Sequence, residues 1–229
     1  MAEMKPHNVS EQLSVCTFNC RSVKSSLLEL WQLCGCYDIC LQEHWLLPVE
    51  LNVLSQFRSD FLSTATSAVN IDYDVLVGRP SGGTAILYKQ SLSNDISILD
   101  TNELHMTALV LRTTLGPVLL VNVYMPTNYG TSECVEKYLD ICAKINVLFN
   151  ECDATHLLVL GDFNCEYNTP SRFCDILMLF ITDNDLVCSD ALRLVNAFTY
   201  CRDDGIHMSW IDHVLCLSLI HISEPTRPY

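Results

Sequence analysis

Short apolar runs separated by turn residues dominate the chain and predict a β-rich domain. Turns are indicated at Ser81-Gly82-Gly83 and at Gly116-Pro117, because glycine and proline adopt the backbone angles that reverse a strand. Runs rich in β-branched and other apolar residues between such breaks are typical of strands. Strands are predicted at 13–18, 37–42, 61–68, 74–77, 84–88, 96–99, 106–114, 118–124, 156–160 and 210–217.

A helical period of apolar residues is confined to three segments. The clearest begins at Ser132, where apolar side chains recur every three or four residues up to Phe149. Glu133 and Glu136 lie in its first turn, where the helix dipole favours negative charge. Shorter helices are predicted at 26–33 and 171–179. Many strands, few helices and one continuous apolar pattern predict a single α/β domain built as a two-sheet sandwich with outer helices.

Polar side chains of catalytic type follow several of the predicted strands. They are Asn19, Glu43, Tyr124, and Asp162 with Asn164, and Asp212 lies near the start of the last strand. Neighbouring strand ends meet along one edge of a sheet, so we expect these side chains to converge there. Asp162 and Asn164 would share one face if the chain stays extended, whereas His213 should face away from Asp212 and serve the structure. Carboxylate and amide oxygens suit Mg²⁺ or Mn²⁺.

The absence of several sequence motifs narrows the chemistry. The chain has no Gly-x-x-x-x-Gly-Lys or Gly-x-Gly-x-x-Gly loop for nucleotides and no Gly-x-Ser-x-Gly elbow for a serine hydrolase. Metal-assisted hydrolysis of a phosphate ester remains. Taken singly, each polar residue can be explained without catalysis: an asparagine after a strand as a turn residue, a glutamate as a solvated surface residue, and the tyrosine as part of the core. Only the set as a whole favours a catalytic site.

Charge and hydropathy limit the partners. The 229 residues carry a net charge of −14, with 49 % hydrophobic and 17 % charged residues. This balance argues against broad electrostatic attraction to nucleic acid, although one local site with a bound cation remains compatible. No apolar run reaches the ~18–20 residues that cross a bilayer, and the N-terminal residues lack a signal-peptide pattern. We expect an intracellular protein without membrane contact, in which residues 1–12 are a disordered lead-in.

The 13 cysteines predict buried thiols. Their number is odd and no secretory signal is present, so a disulfide framework is not expected. No Cys-x-x-Cys pair occurs, and a zinc ribbon or finger is therefore unsupported. The cluster Cys34, Cys36 and Cys40 is a weaker candidate for a metal site, because its spacing matches no known ligand signature.

Six motifs, in this order along the chain, resemble one protein family. They are Cys16-Thr-Phe-Asn19-Cys-Arg-Ser22, Leu41-Gln-Glu43-His-Trp45, Ser81-Gly-Gly-Thr-Ala-Ile86, Asn122-Val-Tyr124-Met-Pro126, Gly161-Asp162-Phe-Asn164 and Ser209-Trp-Ile-Asp212-His-Val-Leu215. Together they resemble the endonuclease/exonuclease/phosphatase superfamily, which has the DNase I-like fold. Their wording is most similar to the endonuclease domain of LINE-type retrotransposons, where it accompanies a reverse transcriptase. The resemblance covers residues 13–217.

The resemblance implies a role for each matching residue. Glu43 and Asn19 match the metal-binding pair, and Tyr124 and Asn164 match the residues that contact the scissile phosphate. Asp162 matches the aspartate that orients or deprotonates the attacking water, and Asp212 matches the one that orients a catalytic histidine. This implies a magnesium-dependent endonuclease with Mg²⁺ or Mn²⁺ as cofactor and DNA as substrate. A nuclear location and no obligate protein partner are expected.

Two departures from the family keep other functions open. Arg21 stands where several relatives carry an acidic or amide residue, and no Ser-Asp-His follows Asp212 to supply a second metal aspartate and the catalytic histidine. Residues 218–229 do not resemble the family; they look like translated adaptor sequence, which suggests truncation of the domain and loss of its C-terminal strand. One alternative is a phosphatase of the same fold that acts on a small phosphate ester. The other is a catalytically incomplete remnant.

Overall fold

Two β-sheets packed face to face form the centre of the computed structural model, which describes residues 13–69, 78–194, 198–202 and 205–217. The strands in these ranges are β1 (Val15–Asn19), β2 (Asp38–Gln42), β3 (Phe61–Thr66), β4 (Thr84–Lys89), β5 (Ile96–Leu99), β6 (Met106–Thr113), β7 (Gly116–Tyr124), β8 (His156–Asp162), β9 (Leu186–Cys188), β10 (Tyr200–Cys201), β11 (Met208–Ser209) and β12 (Asp212–Leu217). The helices are α1 (Leu27–Leu33), α2 (Asn52–Gln56), α3 (Ser132–Glu151), α4 (Arg172–Asp183) and α5 (Ser189–Arg193), with 3-10 turns at Pro48–Glu50 and Gln90–Leu92.

Strand order brings the polar strand ends together. One sheet has the order β1-β2-β4-β3 and the other the order β5-β6-β7-β8-β12-β9, while β10 and β11 form a separate hairpin. Strands β1 and β2 are parallel, as are β7 and β8, so within each pair the carboxyl ends lie at the same edge. Strand β12 runs antiparallel to β8, with Asp212 opposite Asp162. Its start therefore lies at the end of β8.

Three apolar layers hold the sandwich. The middle layer joins the two sheets through residues such as Ile86 and Leu160. On the outer faces, α1 and α2 cover the four-stranded sheet, and α3 and α4 cover the six-stranded sheet. Helices α3 and α4 each bury one stripe of side chains, which is the usual arrangement for a surface helix. None of the helices in the described ranges is long and apolar enough to cross a membrane.

A buried asparagine connects the sheets beneath the polar strand ends. Asn122 on β7 is fully buried and accepts a hydrogen bond from Gln42 Nε2 at 2.6 Å. Its Nδ2 donates to the carbonyl oxygens of Leu41 and Ala85, each at 2.8 Å. Since a buried amide costs free energy unless its hydrogen bonds are made, this set favours one alignment of the two sheets.

The predicted α/β sandwich is confirmed, and the differences concern element ends and short elements. Helix α4 continues to Asp183 rather than ending at 179, and β12 begins at Asp212 rather than at 210. The sequence did not predict α2, β9, α5 or the β10–β11 hairpin, because elements of two to five residues are too short to show a period. The strand predicted at 74–77, the lead-in at 1–12 and the tail at 218–229 lie outside the described residues.

Candidate active site

One amide joins two carboxylates across the sandwich. Asn19 ends β1, Glu43 follows β2, and Asp162 ends β8 in the other sheet. Asn19 Nδ2 donates to Glu43 Oε1 at 2.7 Å and to Asp162 Oδ2 at 3.0 Å. Three of the residues expected from the sequence therefore lie in direct contact, although Asn19 and Asp162 are 143 residues apart.

The second oxygen of Glu43 is held by an indole. Trp45 Nε1 donates to Glu43 Oε2 at 3.1 Å, so both carboxylate oxygens of Glu43 accept hydrogen bonds. Glu43 and Trp45 both have left-handed backbone angles, with φ of 55° and 57°. Non-glycine residues in this region are strained and persist where the surroundings hold them. Here that strained turn aims the carboxylate and the indole at each other.

His44 anchors this turn from the core side. The ring is fully buried, and its Nδ1 accepts a hydrogen bond from the Leu46 amide at 3.0 Å. Nε2 therefore carries the proton and donates to the Thr66 carbonyl at 3.1 Å. Burial lowers the pKa of His44, so the ring is neutral near pH 7. The anchor fixes the residues on either side of His44, Glu43 among them.

The Ser81-Gly82-Gly83 turn leaves space for the His44 ring. Gly83 has a φ of +87°, and a Cβ built there would lie 2.4 Å from His44 Cε1. The neighbouring Gly82 carbonyl accepts a hydrogen bond from the Trp45 amide at 3.1 Å. The glycine motif thus supports the Glu43 turn by close packing.

Tyr124 lies at the end of β7 in an environment that keeps its hydroxyl protonated. Burial raises the pKa of Tyr124, and the charges of Glu43 and Asp162 raise it further. His105 Nδ1 donates to the Tyr124 carbonyl at 2.8 Å, and the two rings stack with centroids 6.3 Å apart. The hydroxyl is therefore a hydrogen-bond donor near two carboxylates.

The segment that carries His105 is tied to α3 by a buried carboxylate. Glu103 accepts hydrogen bonds from Lys137 Nζ at 2.8 Å and from Lys144 Nζ at 2.6 Å. Burial acts to raise the pKa of Glu103, but the two lysines outweigh it and hold that pKa at about 2. Glu103 Oε1 also accepts a hydrogen bond from the His105 amide at 3.2 Å, which links α3 to the backbone beside Tyr124.

Asp212 adds a third carboxylate to this end of the sandwich. Burial raises the pKa of both Asp162 and Asp212; the charge of Asp212 acts in the same direction on Asp162, and the charge of Glu43 does so on both. Asp212 Oδ1 is buried and has no hydrogen-bond partner among the described residues. Carboxylates crowded in this way attract a cation, and their oxygens are the donors that Mg²⁺ and Mn²⁺ prefer. The residues present therefore fit a hard divalent cation.

Asn164 lies near these carboxylates, but the backbone from Asp162 to Asn164 is not extended. Strand β8 ends at Asp162, and Asn164 has a φ of 47°. The Asn164 amide donates to Asp162 Oδ1 at 2.8 Å, and its side-chain Nδ2 donates to the Met125 carbonyl at 2.7 Å. Asp162 and Asn164 therefore do not share one face of an extended strand. A turn brings them together instead and fixes one oxygen of Asp162.

Some residues that shape the site were not expected from the sequence. Trp45 and His105 contact Glu43 and Tyr124, yet only the position of Trp45, two residues after a candidate ligand, could have drawn attention to it. His213 lies as expected on the opposite face of β12, fully buried. Its Nδ1 meets Asp190 Oδ2 at 2.8 Å.

Comparisons with known proteins agree on the fold. No family model and no curated protein sequence matches the chain. Among solved structures, the AP endonuclease LMAP from Leishmania major has a TM-score of 0.67 at 14 % identity, covering 90 % of this chain and 79 % of that one. The D146N variant of the 3′ phosphatase NExo from Neisseria, bound to a product DNA hairpin, has a TM-score of 0.65 at 16 % identity, covering 90 % and 87 %.

A retrotransposon protein is also among these structures. The endonuclease domain of TRAS1, a telomere-specific non-LTR retrotransposon, has a TM-score of 0.62 at 14 % identity, with 90 % of this chain and 86 % of that domain covered. Identities this low show the architecture alone. The chain has the fold of the endonuclease/exonuclease/phosphatase superfamily, a DNase I-like two-sheet sandwich.

Proposed function

We propose that this chain is a divalent-cation-dependent phosphodiesterase that cleaves DNA, of the kind found in retrotransposon endonuclease domains. The observation that carries the proposal is the bridge from Asn19 to the carboxylates of Glu43 and Asp162, made from opposite sheets. A structural role alone would not require three buried or half-buried acidic groups at one end of a sandwich, since burying like charges costs free energy.

Glu43 and Asn19 are the residues we assign to the cation. Glu43 offers a carboxylate that Trp45 and Asn19 already orient, and Asn19 offers its amide oxygen. A bound Mg²⁺ or Mn²⁺ would supply electrostatic stabilisation of the leaving oxygen. Metal ligands are usually held by neighbouring hydrogen bonds of this type, and Trp45 provides one here.

The remaining residues act on water and phosphate. Asp162, fixed by the Asn164 amide and the Asn19 side chain, accepts a hydrogen bond from the attacking water and orients it for in-line attack. Tyr124 donates its hydroxyl proton in a hydrogen bond to a phosphate oxygen, because its pKa is raised and it stays protonated. Asn164 adds a second polar contact to the phosphate. Asp212 Oδ1 would accept an N–H from the imidazole of the family's Ser-Asp-His motif, which does not occur after Asp212 in this sequence.

The sequences of the six motifs favour DNA as the substrate, whereas the net charge of −14 mildly favours a small phosphate ester. The two substrates can be separated with one protein preparation. We expect Mg²⁺-dependent nicking of supercoiled plasmid and no release of phosphate from inositol phosphates. The reverse result would replace the endonuclease by a phosphatase of the same fold.

A matched pair of variants tests the site. Glu43→Gln keeps the size of the side chain but removes its charge, and we expect at least a ~10²-fold slower nicking rate, as for loss of one preorganised group. The control is Glu136→Gln, an exposed residue of α3, which should nick at the wild-type rate. Equal rates for Glu43→Gln and wild type would contradict the proposal. Absence of nicking by wild-type protein would favour a catalytically incomplete remnant.

The role of Asp212 can be tested by restoring the missing motif. We compare residues 1–229 with a chimera whose residues 217–229 are replaced by a relative's segment that ends in Ser-Asp-His. A faster nicking rate in the chimera, at equal folded concentration, supports Asp212 as the residue that orients an imidazole. Equal rates would contradict that role.

A further inference from the structure

A second cluster of metal-ligating groups lies on the other face of β12, away from Asp212. It consists of Cys188 at the end of β9, Asp190 in the first turn of α5, and His213 on β12, whose ligand atoms all lie within 4.8 Å of one another. Cys188 Sγ is 3.2 Å from Asp190 Oδ1 and 3.9 Å from His213 Nδ1. His213 Nδ1 is 2.8 Å from Asp190 Oδ2.

The two ring nitrogens of His213 both face oxygen acceptors. Nε2 lies 2.9 Å from the Cys165 carbonyl, which can only accept, so Nε2 carries a proton and donates it. Asp190 Oδ2 lies 2.8 Å from Nδ1, and Asp190 Oδ1 accepts a hydrogen bond from the Val214 amide at 2.9 Å. With Nε2 protonated, a neutral ring turns the lone pair of Nδ1 toward the lone pairs of Oδ2. A proton or a metal ion must therefore lie between Nδ1 and Oδ2.

The hydrogen bond to the Cys165 carbonyl is the arrangement that protein metal sites use. A ligating histidine almost always donates its other N–H to a carboxylate or a backbone carbonyl, which fixes the ring and its tautomer. His213 is prepared in this way to bind through Nδ1. The rings of Phe163, Trp210 and Tyr167 lie 5.8 to 6.3 Å from it, so water has little access to that face.

We propose that Cys188, Asp190 and His213 bind a Zn²⁺ ion. A tetrahedral zinc site with sulfur, nitrogen and oxygen ligands has edges of about 3.4 to 3.6 Å, and the three distances above differ from these by about 0.6 Å or less. Asp190 points one oxygen at each partner and can therefore supply one or both. Thiolate, nitrogen and oxygen together select zinc over magnesium.

The ion keeps the buried cluster neutral. When Zn²⁺ binds, the thiol proton of Cys188 and the proton that lies between His213 Nδ1 and Asp190 Oδ2 leave to solvent. Two anionic ligands then balance the two charges of the metal. The side chain of Asp190 is 10 % exposed and that of His213 is 0 % exposed, so Asp190 marks the side from which an ion can enter.

Such an ion would join β9 and α5, two elements too short to be stable by themselves. Strand β9 has only three residues and α5 only five. They meet β12 through the Cys188–Leu215 register and the hydrogen bond from the Val214 amide to Asp190 Oδ1 at 2.9 Å. Bound zinc would hold β9 and α5 against β12, the strand that carries Asp212.

Cobalt substitution tests the proposal directly, because Co²⁺ bound by a thiolate gives a sulfur-to-metal charge-transfer band. We titrate Co²⁺ into wild-type protein, Cys188→Ser and the control Cys142→Ser, a buried cysteine of α3. We expect one equivalent with the band in wild type and in Cys142→Ser, and loss of the band in Cys188→Ser. His213→Gln should weaken binding at least ~10-fold, as expected when a ligand or its support is removed.

A second measurement uses wild-type protein alone and does not depend on variants that fold. Cys188 is buried, so its alkylation, followed by mass spectrometry over hours, depends on local opening of β9 and α5, and one equivalent of Zn²⁺ should slow it. The exposed Cys36 and Cys201 serve as internal controls and should react equally in both samples. A charge-transfer band that persists in Cys188→Ser, or alkylation of Cys188 that zinc does not slow, would overturn the proposal.

Discussion

Replacing the buried amide of Asn122 with a leucine should destabilise the domain by about 2–4 kcal/mol. Leucine has a similar branched shape, so the main loss is three hydrogen bonds, to Gln42 Nε2 and to two backbone carbonyls. A buried hydrogen bond contributes about 0.5–1.5 kcal/mol net, and a partner left unpaired costs more. Because the free energy of unfolding of a whole domain is only about 5–15 kcal/mol, this one side chain contributes a large share of it.

A double-mutant cycle separates this bridge from general damage to the core. Gln42→Met removes the other partner and leaves Asn122 Oδ1 without its donor. The double variant loses their shared bond only once and leaves neither side chain unpaired. Its cost should therefore be smaller than the sum of the single costs by about 1–2 kcal/mol, a typical coupling for residues in contact.

Urea unfolding at pH 7 gives the four free energies of unfolding by linear extrapolation. The control is Asn146→Leu in α3, the same substitution at a side chain whose Oδ1 has no hydrogen-bond partner among the described residues. It should change the free energy of unfolding by less than about 0.5 kcal/mol. Additive single costs, or a change below that limit for Asn122→Leu, would refute the account of how the two sheets are aligned.

Three further predictions concern the site and its support. Trp45→Phe keeps an aromatic ring but removes the N–H that holds Glu43, so Mg²⁺ affinity measured by calorimetry should fall about tenfold; unchanged affinity would exclude this role. Asp162→Asn removes one crowded charge and should raise the free energy of unfolding at pH 8 without divalent cation by about 1–2 kcal/mol, while abolishing plasmid nicking; a lower free energy of unfolding would contradict the charge repulsion. Glu103→Gln should lower the free energy of unfolding at pH 7 by about 1–3 kcal/mol. The pKa of Glu103 is held at about 2. The difference in free energy of unfolding between wild type and Glu103→Gln should therefore be complete above about pH 4.3 and disappear as the pH falls through about 2. A difference that does not depend on pH would contradict this prediction.

Local pattern predicts the strands and their polar ends well. Asn19, Tyr124 and Asp162 each close a strand, as the alternation of apolar runs and polar ends indicates, whereas Asp212 opens β12 although the predicted strand began at 210. That pattern also predicts that His213 faces away from Asp212, because adjacent residues in a strand point to opposite sides.

Contacts between distant segments are less accessible from the sequence. Nothing in the local pattern pairs Gln42 with Asn122 or places Trp45 against Glu43, since these contacts depend on how the sheets stack and how a strained turn is held. The Cys188, Asp190 and His213 cluster is hidden for the same reason: two of its members lie in elements of three and five residues, and the third is 23 residues beyond Asp190.

Binding of Mn²⁺, followed by electron paramagnetic resonance, shows without any substrate whether the Glu43 carboxylate holds a metal ion. Cys188→Ser serves as the background protein, which removes the proposed zinc site from the count. This protein should bind one equivalent of Mn²⁺, and adding Glu43→Gln should weaken that binding at least ~10-fold, whereas adding Glu136→Gln should not. Equal Mn²⁺ affinity with and without the Glu43 carboxylate would contradict the assignment of this end of the sandwich as a metal-dependent active site.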